Sequence, residues 1–400
     1  MTRTTTVLPQ ARAAALSTAR DQKMAASPAA FVRGSTGRYY DWLKGLEGRS
    51  LPEGPAVWIC GDCHLGNLGP VANAGGKIQI EIRDFDQTVI GNPVHDLIRL
   101  GLSMASAARS SDLAGVVTAK IVEGMIECYE KAFDSDFDEE RDLQQPKTIR
   151  DIDRQAKKST WRTLAVQNIE DERPTIPLGH RFWPITKNER KEIVALSESK
   201  EVQELATILS ARDDSAHVEI VDAAFWKKGC SSLGLLRYAV LLRVGSKGDN
   251  RLHCLMDIKE AARAAAPRAS RAGMPSNQAE RIVTGAGHMS PFLGERMRAI
   301  ELMGKKVFVR EILPQDLKIE VGQVDSSEAK KLAGFLAGVV GKAHGLQMDT
   351  ATRKQWRREL RRNRSKSLDA PTWLWRNVVE LLADHERAYL EHCRKYAPQL

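Results

Sequence analysis

The sequence predicts an α+β fold, because helical and strand patterns are segregated along the chain and do not alternate. Helical patterns occupy both ends, while strand patterns gather at 217–259 and again at 306–312. The 400 residues are 42% hydrophobic and 28% charged, which is typical of a globular protein and excludes a disordered or fibrous chain. At roughly 100–200 residues per domain, this length predicts two or three lobes.

The first third of the chain predicts helices that lead into a small β region. Residues 1–50 read as helical, with Phe31, Tyr39, Tyr40 and Trp42 as apolar anchors. The segments 56–60 and 78–82 are predicted strands, and the second alternates with a period of two. A turn signal at 73–76 makes 68–82 a predicted hairpin.

The rest of the chain contains further helices on either side of a β-rich stretch. We expect helices at 94–108 and 111–133, the second with Ser111 or Asp112 as its N-cap. The pattern of the polar segment 143–215 does not support a secondary-structure prediction. Further along, the patterns predict strands at 217–226, 235–244, 251–259 and 306–312, and helices at 276–287, 327–345 and 372–396.

Four regions follow from this pattern. They are an N-terminal helical segment (1–50), a catalytic-loop region (51–215), a β-rich nucleotide-binding region (216–325) and C-terminal helices (326–400) that complete the helical lobe. No apolar stretch approaches the ~18–20 residues of a membrane-spanning helix. The N-terminus lacks the apolar core of a secretory signal, and the six cysteines lack disulfide-framework spacing. We therefore predict a cytoplasmic protein without a membrane span.

The net charge of +9 is concentrated in one segment. Residues 353–366 hold eight Lys and Arg against one acid, Glu359, and their spacing places them along one helix face. This stripe could bind an anionic partner. The favoured interpretation is a solvated face that balances the acidic run at 134–142, and a nucleic-acid partner is disfavoured.

The densest group of reactive side chains lies at 60–69, in Cys-Gly-Asp-Cys-His-Leu-Gly-Asn-Leu-Gly. Its first five residues match the C-x-x-C-H pattern of c-type haem attachment, but a strand pattern precedes it and no export signal is present. A zinc site is weak, because no second Cys/His pair follows at suitable spacing. Asp62 and His64 could form half of a binuclear metallophosphoesterase site, a minor alternative that lacks the required downstream motifs.

A third interpretation fits these residues best. Asp62 and Asn67 have the D-x-x-x-x-N spacing of a kinase catalytic loop, in which a carboxylate orients the acceptor hydroxyl and an Asn oxygen binds Mg²⁺. Asp84 follows the predicted hairpin, where a second Mg²⁺ ligand is needed, and Asp86 could take a second ion. In the alternative interpretation, Asp62 and Asn67 cap a turn, and Asp84 and Asp86 are solvated carboxylates at the end of a strand.

A kinase also needs a phosphate-covering loop and a strand lysine. Gly229-Cys-Ser231-Ser232-Leu-Gly234 lies between two predicted strands, and Lys259 ends the next strand. Glu280 lies on the helix that follows and could pair with Lys259. Because these motifs follow the catalytic loop instead of preceding it, the order predicts a circular permutation, with the original connection cut near Gly345 and the new start upstream of strand 56–60.

These motifs resemble a known family. Phe31-Val-Arg33-Gly34, the loop 61–69, Asp84-Phe-Asp86 and Asp96-Leu-Ile-Arg99-Leu look like the uncharacterised bacterial family catalogued as domain of unknown function 2252. The match extends through Gly229–Gly234, 258–261, 309–311 and 343–344.

That family is similar in turn to the aminoglycoside-phosphotransferase branch of the protein-kinase-like superfamily. The resemblance implies a two-lobed, permuted kinase-like fold with extra N- and C-terminal helices. It also implies Asp62 as catalytic base, Asn67 and Asp84 as metal ligands, and Asp96 as a brace for the loop. Cys60 departs from the histidine usual before Gly-Asp, and the glycine loop lacks its middle glycine.

Together these observations predict a phosphotransferase that uses ATP and Mg²⁺ on an unknown hydroxyl acceptor. Asp62 would be catalytic, and Asn67, Asp84 and Asp86 would bind metal. Nucleotide binding is expected from Gly229, Ser231, Ser232, Gly234, Lys259 and Glu280, and structural support from His64, Asp96 and Arg99. The alternative is a catalytically weak nucleotide-binding regulator, a pseudokinase that acts through the basic helix.

Overall fold

The protein is described by a computed structural model that covers most of the chain. The described residues are 7, 9–46, 51–111, 115–160, 175–230, 233–245, 252–270, 272–319, 325–362 and 370–396. They form a mixed α+β structure, as the segregated patterns predicted. Within these ranges, no helix combines the length and the apolar character needed to cross a membrane.

The helices before β6 are α1 (Pro9–Ala25), α2 (Pro28–Gly34), α3 (Thr36–Lys44), α4 (Val94–Ser110), α5 (Gly115–Lys131), α6 (Glu139–Asp142), α7 (Lys147–Lys158), α8 (Lys187–Ser197) and α9 (Lys200–Thr207). The later helices are α10 (Gln278–Met289), α11 (Pro291–Gly294), α12 (Ser326–Gly345), α13 (Thr350–Leu360) and α14 (Thr372–Tyr396). The strands are β1 (Val57–Ile59), β2 (Leu68–Ala72), β3 (Ile78–Ile82), β4 (Val89–Gly91), β5 (Phe182–Trp183), β6 (Val218–Trp226), β7 (Arg237–Val244), β8 (Leu252–Glu260), β9 (Met297–Leu302) and β10 (Lys305–Ile312).

One large sheet organises the β-rich half of the molecule. Its strands run antiparallel in the order β5-β6-β7-β8-β10-β9. Residues 237, 259 and 308 stand side by side on β7, β8 and β10, as do 239, 257 and 310. Because side chains alternate between the two faces of a sheet, these six residues share one face.

The opposite face of this sheet is covered by helices. Tyr238, Val240 and Leu242 of β7 pack there with Ile193 of α8 and Leu205 of α9. These two short helices lie within the segment 143–215, for which the sequence pattern supported no assignment. Burial of apolar side chains against the sheet therefore stabilises helices whose own pattern is weak.

The helical half is built around two long helices in close contact. A Cβ atom on Gly334 of α12 would lie only 2.9 Å from the carbonyl oxygen of Gly124 in α5. Glycine at both positions lets the helix backbones approach closely, and α4 packs against the same pair. The two small sheets, β1–β4 and β2–β3, contribute side chains to the same core as these helices.

The N- and C-terminal helices lie against each other. The Tyr389 hydroxyl of α14 donates to the Ala25 carbonyl at 3.2 Å. Arg38 of α3 forms an ion pair with Asp384 of α14 at 2.9 Å. Helix α2 also packs against α4 and α14.

Most of the predicted elements are confirmed, with shifts of a few residues. One predicted cap is wrong: Ser111 ends α4 as its C-cap, where its N–H bonds to the carbonyls of Ala108 and Arg109, so it does not begin α5. Asp112, the other candidate, lies outside the described residues. Strands β4, β5 and β9 and helices α6, α7, α8, α9 and α11 were not predicted.

Candidate functional site

The loop 60–67 connects β1 to a short 3-10 turn (Leu65–Asn67) that leads into β2. Gly61 has a φ of +74°, and a Cβ atom there would collide with the carbonyl of Gln87. The backbone N–H groups of Cys60 and Gly61 donate to the two oxygens of Asp96, at 2.7 and 2.9 Å. The buried carboxylate of Asp96, at the start of α4, therefore holds the loop in place.

His344 at the end of α12 completes this support, since its Nε2 lies 3.2 Å from Asp96 Oδ2 and its Nδ1 lies 2.9 Å from the Tyr129 hydroxyl. The expected brace role of Asp96 thus has a geometric basis: two N–H groups of the loop and a histidine of α12 converge on one carboxylate. His64 is itself buried near Asp62, with 3.9 Å between Nε2 and Oδ2. Burial lowers the pKa of His64 to about 4, so its imidazole is neutral at pH 7.

Asp62 is almost fully buried, at 6% exposure. Its Oδ2 accepts a hydrogen bond from the Thr36 hydroxyl at 2.8 Å, and its Oδ1 accepts one from Arg99 Nε at 3.0 Å. Arg99 is fully buried on α4 and also donates to the carbonyl of Val32. Both carboxylate oxygens of Asp62 are therefore engaged by side chains of the protein.

Asn67 and Asp84 line the same cavity. The Asn67 amide donates to the backbone carbonyl of Asp62 at 2.8 Å, which fixes the orientation of the amide. Asp84 follows β3, and 41% of its side chain is exposed. The predicted pair of oxygen ligands is thus brought together at the edge of one cleft.

Lys259 lies between Asp84 and Asp86. Its ammonium nitrogen is 3.6 Å from Asp84 Oδ1 and contacts Asp86 Oδ2 directly. Partial burial raises the pKa of Asp84, but the charges of Lys259 and Arg310 outweigh this effect and bring the pKa down to about 2. Burial and the neighbouring Asp84 carboxylate raise the pKa of Asp86, and Asp86 Oδ1 has no hydrogen-bond partner among the described residues.

Glu280 does not contact Lys259, contrary to the sequence expectation. It is exposed on α10 and accepts a hydrogen bond from Asn277 at 3.2 Å. The next residue, Arg281, is buried and donates to the backbone carbonyls of Asp86 and Thr88. The one-residue difference arises because the buried face of α10 includes position 281 and excludes 280.

The glycine loop joins β6 to β7. Gly229 and Gly234 have φ values of +108° and +112°, a conformation that favours glycine. Gly229 lines the cavity, and its carbonyl accepts a hydrogen bond from Lys23 of α1 at 2.6 Å. Ser231 and Ser232 lie outside the described residues.

The cavity has a volume of about 550 Å³ and lies between the loop 60–67 and the large sheet. Its lining contains two acids, Asp84 and Asp316, but a large excess of basic side chains. The lysines and arginines that line it are Lys23, Arg33, Arg83, Arg181, Lys227, Lys228, Arg237, Arg310 and Lys318. The cleft is therefore strongly cationic.

Part of this charge is held by internal contacts. Asp257 is fully buried on β8 and forms ion pairs with Arg237 of β7 and Arg310 of β10. Arg83 donates to the backbone carbonyls of Asp316 and Leu317. The cationic cleft was missed at the sequence level, although arginines inside otherwise apolar strands, as at 237 and 310, are a signal for it.

Several basic side chains in the segment 353–366 contact other parts of the protein. On α13, Arg357 pairs with Asp134, and the Arg353 guanidinium donates to the carbonyls of Gly345 and Met348. Just after the helix, Arg361 pairs with Glu130 at 2.7 Å. The Arg357–Asp134 contact agrees with the favoured interpretation, in which this stripe balances the acidic run. Residues 363–366 lie outside the described ranges.

The described residues contain no group of three His, Cys, Asp or Glu side chains placed to hold a metal ion. Cys60 and Cys63 are buried free thiols. A cation at Asn67 and Asp84 would therefore complete its coordination with water or phosphate oxygens, which is how Mg²⁺ is usually bound.

Comparison with known proteins gives one assignment. No curated protein and no solved structure matches the chain. The family model described as an uncharacterized protein conserved in bacteria (DUF2252) matches residues 12–395. The match spans nearly the whole chain, including the loop 60–67, the glycine loop and the terminal helices, and the chain belongs to this bacterial family.

Proposed function

We propose that this chain is a phosphotransferase that uses Mg²⁺-ATP and moves the γ-phosphoryl group to a hydroxyl acceptor. The observation that carries the proposal is the position of Asn67 and Asp84 on one cavity wall, with the Lys259 ammonium against Asp84 and Asp86. Phosphoryl transfer needs these parts: hard oxygen ligands for Mg²⁺, and a cation for the phosphates.

Each residue has a role in this proposal. Asn67 and Asp84 hold Mg²⁺, and Asp86 holds a second ion or keeps Lys259 in place. Lys259 pairs with the ATP phosphates, and Gly229 and Gly234 shape the loop that covers them. Asp62 orients the acceptor hydroxyl. The pKa of about 2 keeps Asp84 ionised at neutral pH, as a metal ligand must be.

A permuted, two-lobed kinase-like fold is part of the proposal. In its support, the region from β6 to β10 follows the order expected of the nucleotide-binding lobe, with a glycine loop, a lysine strand and a helix before two further strands. The expected junction is also close in space. The Gln347 side chain, just after α12, accepts from the backbone N–H of Trp58 in β1 at 2.8 Å and donates to its carbonyl at 3.0 Å.

A second candidate is a nucleotide-binding regulator without strong catalytic activity. The observation in its favour is the engagement of both Asp62 oxygens by Thr36 and Arg99, because an acceptor hydroxyl has to compete with these partners for the carboxylate. The part of the basic helix that points outward is the surface through which such a regulator would reach an anionic partner.

Calorimetric titration with a non-hydrolysable ATP analogue, with and without Mg²⁺, tests the proposal. We expect saturable binding that requires Mg²⁺ and weakens at least tenfold in Asp84→Asn. Asp136→Asn is the matched control, because the Asp136 side chain is 82% exposed and lies outside the cavity.

Turnover then separates the two candidates. Asp62→Ala should bind nucleotide like the wild type but lose phosphoryl transfer. Binding in both proteins without any transfer of the γ-phosphoryl group would favour the regulator. Absence of Mg²⁺-dependent binding in the wild type would refute both.

A further inference from the structure

We propose that the acceptor bound in this cleft is a polyanion, a compound that carries phosphate groups of its own. It is held by five side chains that we call the cationic rim: Lys23, Arg33, Lys227, Lys228 and Lys318. The inference rests on the proposed function, because it names the chemical class of the second substrate.

The rim is assembled by the tertiary fold. Lys23 and Arg33 come from the N-terminal helices α1 and α2, Lys227 and Lys228 follow β6, and Lys318 follows β10. All five line the cavity that also contains Asn67 and Asp84. Convergence of three distant segments on one cavity distinguishes the rim from a run of surface lysines.

The rim cations lack acidic partners. Within the described part of the chain, no carboxylate oxygen lies within 4.0 Å of the charged nitrogens of these five side chains. Two other cations of the same cleft, Arg237 and Arg310, share the buried carboxylate of Asp257. The rim therefore contributes cations to the cavity that no carboxylate of the described residues pairs.

This arrangement is electrostatically unfavourable when the cleft is empty. Burial, followed by repulsion from Arg33 and Lys23, lowers the pKa of Lys318 to about 8. Burial and the charge of Arg237 lower the pKa of Lys228 well below its usual range, and burial also lowers that of Lys23. A bound anion would relieve both the repulsion and the loss of hydration.

The excess of positive charge in the cavity indicates the chemical class of the acceptor. Nine Lys and Arg line the cavity against two Asp, and the buried Asp257 behind Arg237 and Arg310 offsets one further charge, while Mg²⁺-ATP carries a net charge of only about −2. One nucleotide therefore leaves most of the excess unbalanced. A phosphate monoester brings about −1.5 to −2 at pH 7 together with three acceptor oxygens, which suits lysine and arginine donors. The same excess disfavours a polycationic acceptor such as an aminoglycoside.

Calorimetric titration of the full chain with inorganic tripolyphosphate in EDTA tests the rim directly. We expect binding that weakens with added salt, because the contacts are ionic. In the double variant Arg33→Gln, Lys318→Gln, the affinity should fall at least tenfold. Lys306→Gln is the matched control, because this lysine is half exposed and lies on a strand outside the cavity.

Two further measurements complete the test. Since the rim repels itself, the double variant should melt at the same temperature as the wild type or higher, which excludes misfolding as the cause of lost binding. Tripolyphosphate should also bind when the Mg²⁺-ATP analogue is saturating. Mutual exclusion of the two ligands, or equal affinity in the double variant and the wild type, would overturn the inference.

The proposed function fails by a different result. If Mg²⁺-dependent nucleotide binding is absent but tripolyphosphate still binds and responds to Arg33 and Lys318, the polyanion site stands and the phosphotransferase proposal does not. If nucleotide binds and tripolyphosphate does not, the phosphotransferase proposal stands and the polyanion acceptor is refuted.

Discussion

Replacement of Glu81 by glutamine should change how the stability of the protein depends on pH. Glu81 lies on β3 at 7% exposure, and its oxygens accept long hydrogen bonds from the N–H groups of Phe292 and Leu293 in α11, at 3.4 and 3.3 Å. Burial raises the pKa of Glu81 from 4.5 to about 7, an effect that the two N–H groups only partly offset. Ionisation of this side chain therefore opposes folding.

The sign and size of the effect follow from linkage. Because the folded pKa lies above the unfolded one, the stabilisation is complete below pH 4.5 and is lost as the pH rises to about 7. The full difference corresponds to about 3 kcal/mol, of which about 2 kcal/mol falls between pH 5.5 and 8.5. For a chain of this length, about 2 kcal/mol shifts Tm by about 2 °C.

Calorimetric melting of wild type and Glu81→Gln at several pH values measures this difference. Glutamine keeps the shape and one acceptor oxygen but cannot ionise. We expect Tm of the variant to rise relative to the wild type by about 2 °C from pH 5.5 to 8.5. Glu201→Gln, at an exposed position on α9, should show no such trend. A difference between Glu81→Gln and wild type that is constant with pH would refute the assignment.

Three other substitutions test the loop 60–67. Asp96→Asn should lower the free energy of unfolding by about 3 kcal/mol, because one amide oxygen cannot accept hydrogen bonds from both buried N–H groups. Asp136→Asn is the control. An unchanged denaturation midpoint in Asp96→Asn would show that the brace is dispensable. Gly61→Ala should abolish nucleotide-dependent turnover while the far-UV circular dichroism stays native, because the Cβ atom displaces the loop from Gln87; wild-type turnover would contradict this. Thr36→Val should lower the free energy of unfolding, measured with denaturant, by about 2 kcal/mol, because a buried hydrogen bond to a carboxylate is lost. The same substitution should raise turnover, because it frees one Asp62 oxygen. Unchanged turnover would mean that Thr36 does not compete with the acceptor.

The sequence predicted the elements whose pattern alone is strong. Helices α4, α12 and α14 and strands β6, β7, β8 and β10 each carry many buried apolar residues, and their positions agree with the predicted ranges. Strand β9 was missed because it forms the sheet edge and carries Arg298 and Glu301, which hide its alternation. Helices α8 and α9 were missed because their apolar faces are narrow and are stabilised by the sheet beneath them.

The candidate site was predictable where its parts are close in sequence. Asp62, Asn67 and Asp84 belong to one loop and one hairpin, so spacing alone brought them together. Sequence spacing could not predict which side chains contact Lys259 and Asp62. Lys259 meets Asp86 across 173 residues, and spacing along α10 does not show which of positions 280 and 281 faces inward.

The state of Asp62 decides how the proposed chemistry can begin. Its carboxylate has two oxygens, and Arg99 holds one of them through an ion pair in which both side chains are buried. Breaking that pair would leave a buried charge without a partner, at a cost of about 3–5 kcal/mol. The Thr36 hydroxyl is a weaker partner, so its oxygen is the one that an acceptor can take.

Helix α3, which begins at Thr36, does not need to move for this exchange. The Tyr39 hydroxyl donates to the His95 carbonyl at 2.7 Å, and the Tyr40 hydroxyl donates to the Gly61 carbonyl at 2.5 Å, so the helix is tied to the loop and to the first turn of α4. Rotation of the Thr36 side chain alone would release Asp62 Oδ2 while these bonds and Arg99 keep the loop in place. On the proposed function, the acceptor hydroxyl then occupies the position that Thr36 Oγ1 holds in this structure.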